Sequence, residues 1–187
     1  MKRPENLSKP IGELNKFQKE LMDVFKAERE YSFPMHPEIF QQIIEEMMRP
    51  FKDVPINKVV AAETKGLLFG PIIAYKLKVP FVTIYKGNKI VDRDCVIKKE
   101  FTDYSKKTKS IEMIKTTIDK KDKILLVDDW FDSGNTARAA ISLIEGFGGK
   151  ILGCSVIFNQ LKQEDEAFFN KYNYHYIIKL EPKTNEY

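Results

Sequence analysis

The chain has 187 residues, 43% of them hydrophobic and 31% charged, the balance of one globular domain with its own core. Its 31 basic and 27 acidic residues leave a net charge of +4, too mild to argue for nucleic acid by itself, and no apolar run approaches the roughly 20 residues of a membrane span. Met1-Lys2-Arg3-Pro4-Glu5 has no apolar segment behind it and does not read as a signal peptide, and Cys95 and Cys154 lack metal-ligand spacing, which points to a reducing, cytoplasmic setting.

In chain order, Ile11, Leu14, Phe17, Leu21, Val24 and Phe25 recur at three- and four-residue steps and predict an amphipathic helix over 11–30. Ser32 to Pro37 breaks it. Pro37 suits the first turn of a second helix, which carries Ile39, Phe40, Ile43, Ile44 and Met47 and stops at Pro50. Beyond it the pattern changes. Val59 to Ala62 reads as a buried strand, Gly66 to Leu77 as a helix and Phe81 to Tyr85 as the next strand. Lysines then crowd between Lys86 and Lys123, where they can surround a small polyanion. The polar stretch Lys98 to Lys109 has no sustained periodicity. A long segment of this kind inside a compact domain predicts a flexible lid or binding loop, here over about 90–122.

Ile124 to Val127 is a third strand, and 136–146 a helix closed by Gly146, Gly148 and Gly149. Ile151 to Phe158 and Tyr174 to Leu180 are further strands. Apolar strands alternating with helices predict an α/β fold. Its sheet is parallel, its helices cover both faces, and its ligand lies beyond the carboxyl ends of the strands. The chain reads as one domain over 1–187, with a helical amino-terminal segment over 1–50 and an α/β core over 51–187.

Three stretches carry chemistry. In Ile124-Leu125-Leu126-Val127-Asp128-Asp129, four apolar residues deliver two carboxylates to a strand end. Asp132, Ser133, Gly134, Asn135 and Thr136 then lead into a helix. Carboxylates accept hydrogen bonds from vicinal hydroxyls, and the N–H groups of a helix N-terminus, helped by Ser133 and Thr136, hold a phosphate. Together they suit a phosphate ester of a polyol. Upstream, Ala62-Glu63-Thr64-Lys65-Gly66 sits at a strand-to-helix turn and offers backbone N–H groups and a cation. Lys86 and Lys89 follow the strand Phe81 to Tyr85. His36 and His175 are isolated. Neither a Gly-Lys-Ser/Thr phosphate loop nor a Gly-x-Gly-x-x-Gly turn is present, which removes support for ATPase and dinucleotide readings.

Asp128-Asp129 with Ser133-Gly134-Asn135-Thr136 resembles the phosphoribosyl pyrophosphate (PRPP) motif of type I phosphoribosyltransferases. Ala62-Glu63-Thr64-Lys65-Gly66-Leu67-Leu68-Phe69-Gly70-Pro71 resembles the pyrophosphate loop of the adenine phosphoribosyltransferases, and Phe81 to Lys89 their basic strand end. The matches come in family order over roughly 38–160. The resemblance implies a Rossmann-like type I fold under an amino-terminal helical hood. It also implies transfer of ribose 5-phosphate from PRPP to a purine-like base, adenine favoured, with release of pyrophosphate.

By the same resemblance Asp128 and Asp129 hold the ribose, and Asp132, Ser133, Gly134, Asn135 and Thr136 the 5′-phosphate. Thr64, Lys65, Gly66, Lys86 and Lys89 hold the pyrophosphate. Mg²⁺ arrives on PRPP, with Asp128 and Asp129 as possible ligands. Catalytic roles fall to Lys86 and to Asp103 in the lid, Trp130 and Phe131 are available to stack on the base or to pack, and the chain is a homodimer. The sequence departs from the family at Tyr85, where arginine is usual, at Asn135, where a second glycine is usual, and at Ser105, where the lid carries glutamate. These departures favour an alternative, a module of the same fold that binds PRPP or a nucleotide without turnover.

Overall fold

A computed structural model describes residues 9–102 and 108–182. Helix α1, Lys16–Glu28, begins later than its apolar spacing suggests, because Asn15 and Gln18 close a capping box. Asn15 Oδ1 accepts from Gln18 N at 2.9 Å, and Gln18 Oε1 accepts from Asn15 N at 3.0 Å. Ahead of that box, Pro10 instead forms an antiparallel bridge with Leu180. A 3-10 segment, Glu30–Met35, leads to α2, Pro37–Met48, which opens on proline as expected.

Strand β1 (Lys58–Ala62), a 3-10 turn (Lys65–Leu68), helix α3 (Gly70–Leu77) and strand β2 (Phe81–Lys86) follow. Next come β3 (Val96–Thr102) and β4 (Thr108–Ile114), then β5 (Lys123–Phe131), α4 (Asn135–Gly146), β6 (Lys150–Asn159), α5 (Gln163–Asn170) and β7 (Tyr174–Lys179). Helix α5 was not legible: it is eight residues long, and Phe169 is its one buried side chain.

The sheet order is β3-β4-β2-β1-β5-β6-β7. Strands β2, β1, β5, β6 and β7 are mutually parallel, and the β3–β4 hairpin adds antiparallel to β2. The chain leaves β1 toward β2 but leaves β5 toward β6, so the winding reverses between β1 and β5. In an open α/β sheet that reversal opens a crevice at the carboxyl ends of the two strands.

Within the expected lid, about 90–122, the described residues Val96–Thr102 and Thr108–Ile114 form a hairpin where the polar sequence suggested irregular structure. Ile111 and Met113 of β4 face the core, while the edge strand β3 exposes Lys98, Lys99 and Glu100. Charged edge strands of this kind discourage pairing with other chains, and their polarity hides the two-residue alternation of a strand. Both faces of the sheet are covered. Residues of α4, α5 and the hairpin pack on one face around Leu126, Ile141, Ile144 and Phe169. On the other, α1, α2 and α3 bury Leu21, Phe25, Ile44, Met47 and Ile73 against Val127 and Ile157. The amino-terminal helices are therefore part of the second core and not only a hood above it. Among the described residues, no helix is long and apolar enough to cross a membrane.

Candidate active site

Strand β5 runs through the acidic pair to Phe131, so the turn beyond it is confined to Asp132, Ser133 and Gly134. Asp129 is only 6% exposed. The Asp128 carboxylate accepts from Asp129 N at 2.9 Å. Burial of its carboxyl, then the charge of Asp129 beside it, push Asp128 well above the usual carboxylate range, and Lys86 offsets part of that rise. Gly134 lies in the left-handed region at φ +71°, and a Cβ there would stand 2.6 Å from Cε2 of Phe169. The turn thus needs glycine twice over, for its backbone angle and for the ring beneath it. Ser133 Oγ accepts from Asn135 N at 3.4 Å, and α4 starts there with Thr136 in its first turn. Asn135 has a use that glycine lacks: its Nδ2 donates to Thr102 O at 3.2 Å, tying β3 to the start of α4.

Trp130 and Phe131 are taken up by packing. Phe131 is 2% exposed and stacks on Tyr174 at 5.5 Å, with Phe169 at 4.8 Å, so it is not available to a base. Trp130 wedges between Phe25 and Phe158 at 5.4 and 4.8 Å, and its Nε1 donates to Gln160 Oε1 at 3.1 Å. Half-buried, it joins β5 to α1 with its N–H satisfied.

On the opposite side of the acidic pair, the turn after β1 brings Lys65 up to it. Lys65 Nζ lies 3.3 Å from Asp129 Oδ2, hydrogen-bonds to Glu30 Oε1 and faces the Tyr31 ring at 5.2 Å. Burial alone would lower the Lys65 pKa, but Asp129 and Glu30 more than offset it, so the ammonium is held above its usual value and stays charged. Gly66 permits this approach: a Cβ there would stand 3.2 Å from Val127 O and 3.3 Å from Asp128 Oδ1. Thr64 precedes Lys65, and the Glu63–Thr64 peptide is cis.

The third element is the turn after β2. Glu63 Oε2 accepts from Lys86 N at 3.0 Å, while Glu63 Oε1 pairs with Lys89 Nζ. Burial would raise Glu63, yet the bonds from Lys89 and Lys86 hold it below the usual range. Tyr85, the departure from arginine, sits opposite Glu112 in the β2–β4 register. Glu112 is wholly buried. Its Oε1 accepts from Lys89 N at 2.5 Å and from Ile90 N at 2.8 Å, and its Oε2 lies 2.8 Å from Arg93 Nη1. Against the effect of burial, those partners depress its pKa.

Lys65, Lys86, Asp128 and Asp129 are thus brought to one crevice, with Lys89 held beside it through Glu63. Asp103 lies outside the described residues. Glu30, Glu63 and Glu112 were not among the residues singled out. Glu112 left one signal, an acid between apolar Ile111 and Met113 of a strand.

A profile of the phosphoribosyl transferase domain matches residues 36–185. The chain belongs to the phosphoribosyltransferase family. An adenine phosphoribosyltransferase of Dinoroseobacter shibae is 33% identical over 123 residues, 66% of this chain and 67% of that protein. A xanthine phosphoribosyltransferase of Lactobacillus delbrueckii subsp. bulgaricus is 29% identical over 154 residues, 82% of each. The crystal structure of an adenine phosphoribosyltransferase from Rhodothermus marinus superposes with a TM-score of 0.73 at 28% identity, over 79% of this chain and 83% of that one. The fold is therefore the type I phosphoribosyltransferase fold, and the chain is a phosphoribosyltransferase enzyme, which sets aside the reading of a binding module without turnover.

Proposed function

We propose that this phosphoribosyltransferase transfers the 5-phosphoribosyl group of PRPP to a purine base, adenine favoured, and releases pyrophosphate. The observation that carries the reading is the order of chemistry across the crevice. Asp128 and Asp129 stand between the start of α4, with Ser133 and Thr136, and the cations Lys65 and Lys86. That order matches a molecule with a phosphate at one end, a diphosphate at the other and vicinal hydroxyls between.

In this reading Asp132, Ser133, Gly134, Asn135 and Thr136 surround the 5′-phosphate, and the N–H groups at the start of α4 donate to it. Asp128 and Asp129 hold the ribose hydroxyls and fix the sugar against the incoming base. As the C1–O bond loosens, positive charge grows on the sugar and negative charge on the leaving diphosphate. Thr64 and Gly66 offer N–H groups there, and Lys65, Lys86 and Lys89 stabilise the departing group. Lys65 leaves its bridge to Glu30 to do so. Asp103, in the lid, takes a catalytic role in this reading. The β3–β4 hairpin shields the crevice from water, which would otherwise hydrolyse the donor.

Mg²⁺ fits the carboxylate oxygens present. Asp128 and Asp129 supply hard oxygen donors of the kind that suit this ion, with the Lys65 ammonium already 3.3 Å from Asp129 Oδ2. Asp128 and Asp129 would hold the ion together with the diphosphate oxygens of PRPP, where it would supply charge neutralisation of the leaving group. A cytoplasmic homodimer is part of the proposal.

A second reading takes xanthine as acceptor, and the greater length over which the xanthine enzyme matches favours it. The test is pyrophosphate release from PRPP and Mg²⁺ with adenine, hypoxanthine, guanine, xanthine and the pyrimidines in turn. Release with adenine is expected. Release with xanthine alone moves the assignment to the second reading, and no release with any base overturns both.

A further inference from the structure

Glu112 is a fully buried acid that no step above employs, and it lies on β4, outside the three sequence stretches that carry chemistry. A buried carboxylate destabilises the fold unless its oxygens are paired. Its partners are all in one place. Oε1 accepts from the backbone N–H groups of Lys89 and Ile90, and Oε2 meets the guanidinium of Arg93. Between β2 and β4 the Cα register covers only Tyr85↔Glu112 and Lys86↔Ile111, with one more bond from Gly87 N to Ser110 O at 2.9 Å. Past that point the turn leaves the sheet, and Glu112 holds it from beneath. From the crevice side, Glu63 holds it through Lys86 N and Lys89 Nζ. The two anchors differ in kind. Glu63 divides its oxygens between Lys86 N and the Lys89 ammonium, for which an incoming polyanion competes, whereas Glu112 makes no contact with either lysine's ammonium and holds the turn through the N–H groups of Lys89 and Ile90.

We propose that Glu112 is a positioning residue for the diphosphate half of the donor site: it fixes the backbone of Lys89 and Ile90, so that Lys86 and Lys89 face the crevice, and it makes this turn and β4 of the hairpin one rigid unit. The inference rests on the PRPP reading. A merely structural acid would affect folding and all ligands alike, whereas a positioning acid affects the diphosphate selectively.

The experiment is titration calorimetry of Glu112→Leu and Glu112→Gln with PRPP, inorganic pyrophosphate and ribose 5-phosphate. Leucine removes both acceptors, while glutamine keeps an oxygen for the two N–H groups and loses the charge facing Arg93. Glu112→Leu is expected to weaken PRPP and pyrophosphate by about tenfold or more and ribose 5-phosphate by less than about twofold, with Glu112→Gln between wild type and Leu. Equal loss for all three ligands, or no loss, overturns the inference. Should Glu112→Leu fail to fold, Glu112→Gln decides by the same criterion, a selective loss of about threefold supporting it and none overturning it. Failure of the wild-type protein to bind PRPP would instead remove the functional reading beneath it.

Discussion

The half of the site assigned to ribose and 5′-phosphate comes from one continuous stretch, the end of β5 and the start of α4. The half assigned to pyrophosphate is assembled from Glu30, the turn after β1, the turn after β2 and Glu112 on β4. The first half is set by local geometry, chiefly the left-handed Gly134 and the strand-to-helix turn around it. The second depends on carboxylates from distant elements, each holding a cation or the turn that carries one. On the proposed assignment, one end of the site is set by backbone geometry and the other is charge-balanced, with Lys65 paired to Glu30 and Asp129 and Lys89 paired to Glu63.

The largest effect should come from the boundary between the halves. Replacing Asp128 and Asp129 together by asparagine removes both charges and puts an N–H donor in place of one acceptor oxygen on each, so the ribose hydroxyls lose their charge-assisted acceptors and Lys65 keeps Glu30 as its charged partner. PRPP affinity should fall by at least about a hundredfold, since hydrogen bonds to charged groups are worth about 1.5–3 kcal/mol each. Calorimetry with circular dichroism as a check on folding measures this, and unchanged affinity in a folded variant would defeat the ribose assignment.

The same contrast explains what was legible before the structure. Every core strand and the helix α4 were visible as apolar runs, because buried parallel strands and an amphipathic helix write their burial into consecutive residues. The acidic pair and its glycine turn were legible for the same reason. Glu30 and Glu112 were not, since their partners are 35 and 19–23 residues away in the chain. The β3–β4 hairpin was missed because its edge strand is polar and its apolar face is confined to a few residues such as Ile111 and Met113. For Trp130 and Phe131 the sequence left stacking and packing open, because only the tertiary structure shows the rings of α1 and α5 packed against them.

A smaller effect separates the halves directly. Lys86 is exposed at the end of β2, and its charge reaches both Glu63 and Asp128. Lys86→Ala should weaken PRPP by about tenfold while ribose 5-phosphate changes by less than about twofold, the loss expected when one charge-assisted contact to the diphosphate is removed. Equal losses would mean that Lys86 serves the fold or the sugar end, and the division drawn above would fail.

The smallest effect concerns stability and has the opposite sign. Asp128 is held above the usual carboxylate range by burial and by Asp129, so the fold favours its protonated form. A group whose folded pKa exceeds its unfolded one stabilises the protein below the unfolded value. That contribution is lost as pH rises through the folded value. Asp128→Asn escapes this loss. The variant should therefore match the wild type in Tm near pH 4 and gain on it as pH rises toward neutrality. About 1 kcal/mol would give roughly 2–4 °C for a chain of this size. Thermal melts at a series of pH values check it. A constant or shrinking difference would show that Asp128 is ionised in the free protein without strain, and the crowded acidic pair would no longer be a place where stability is given up for binding.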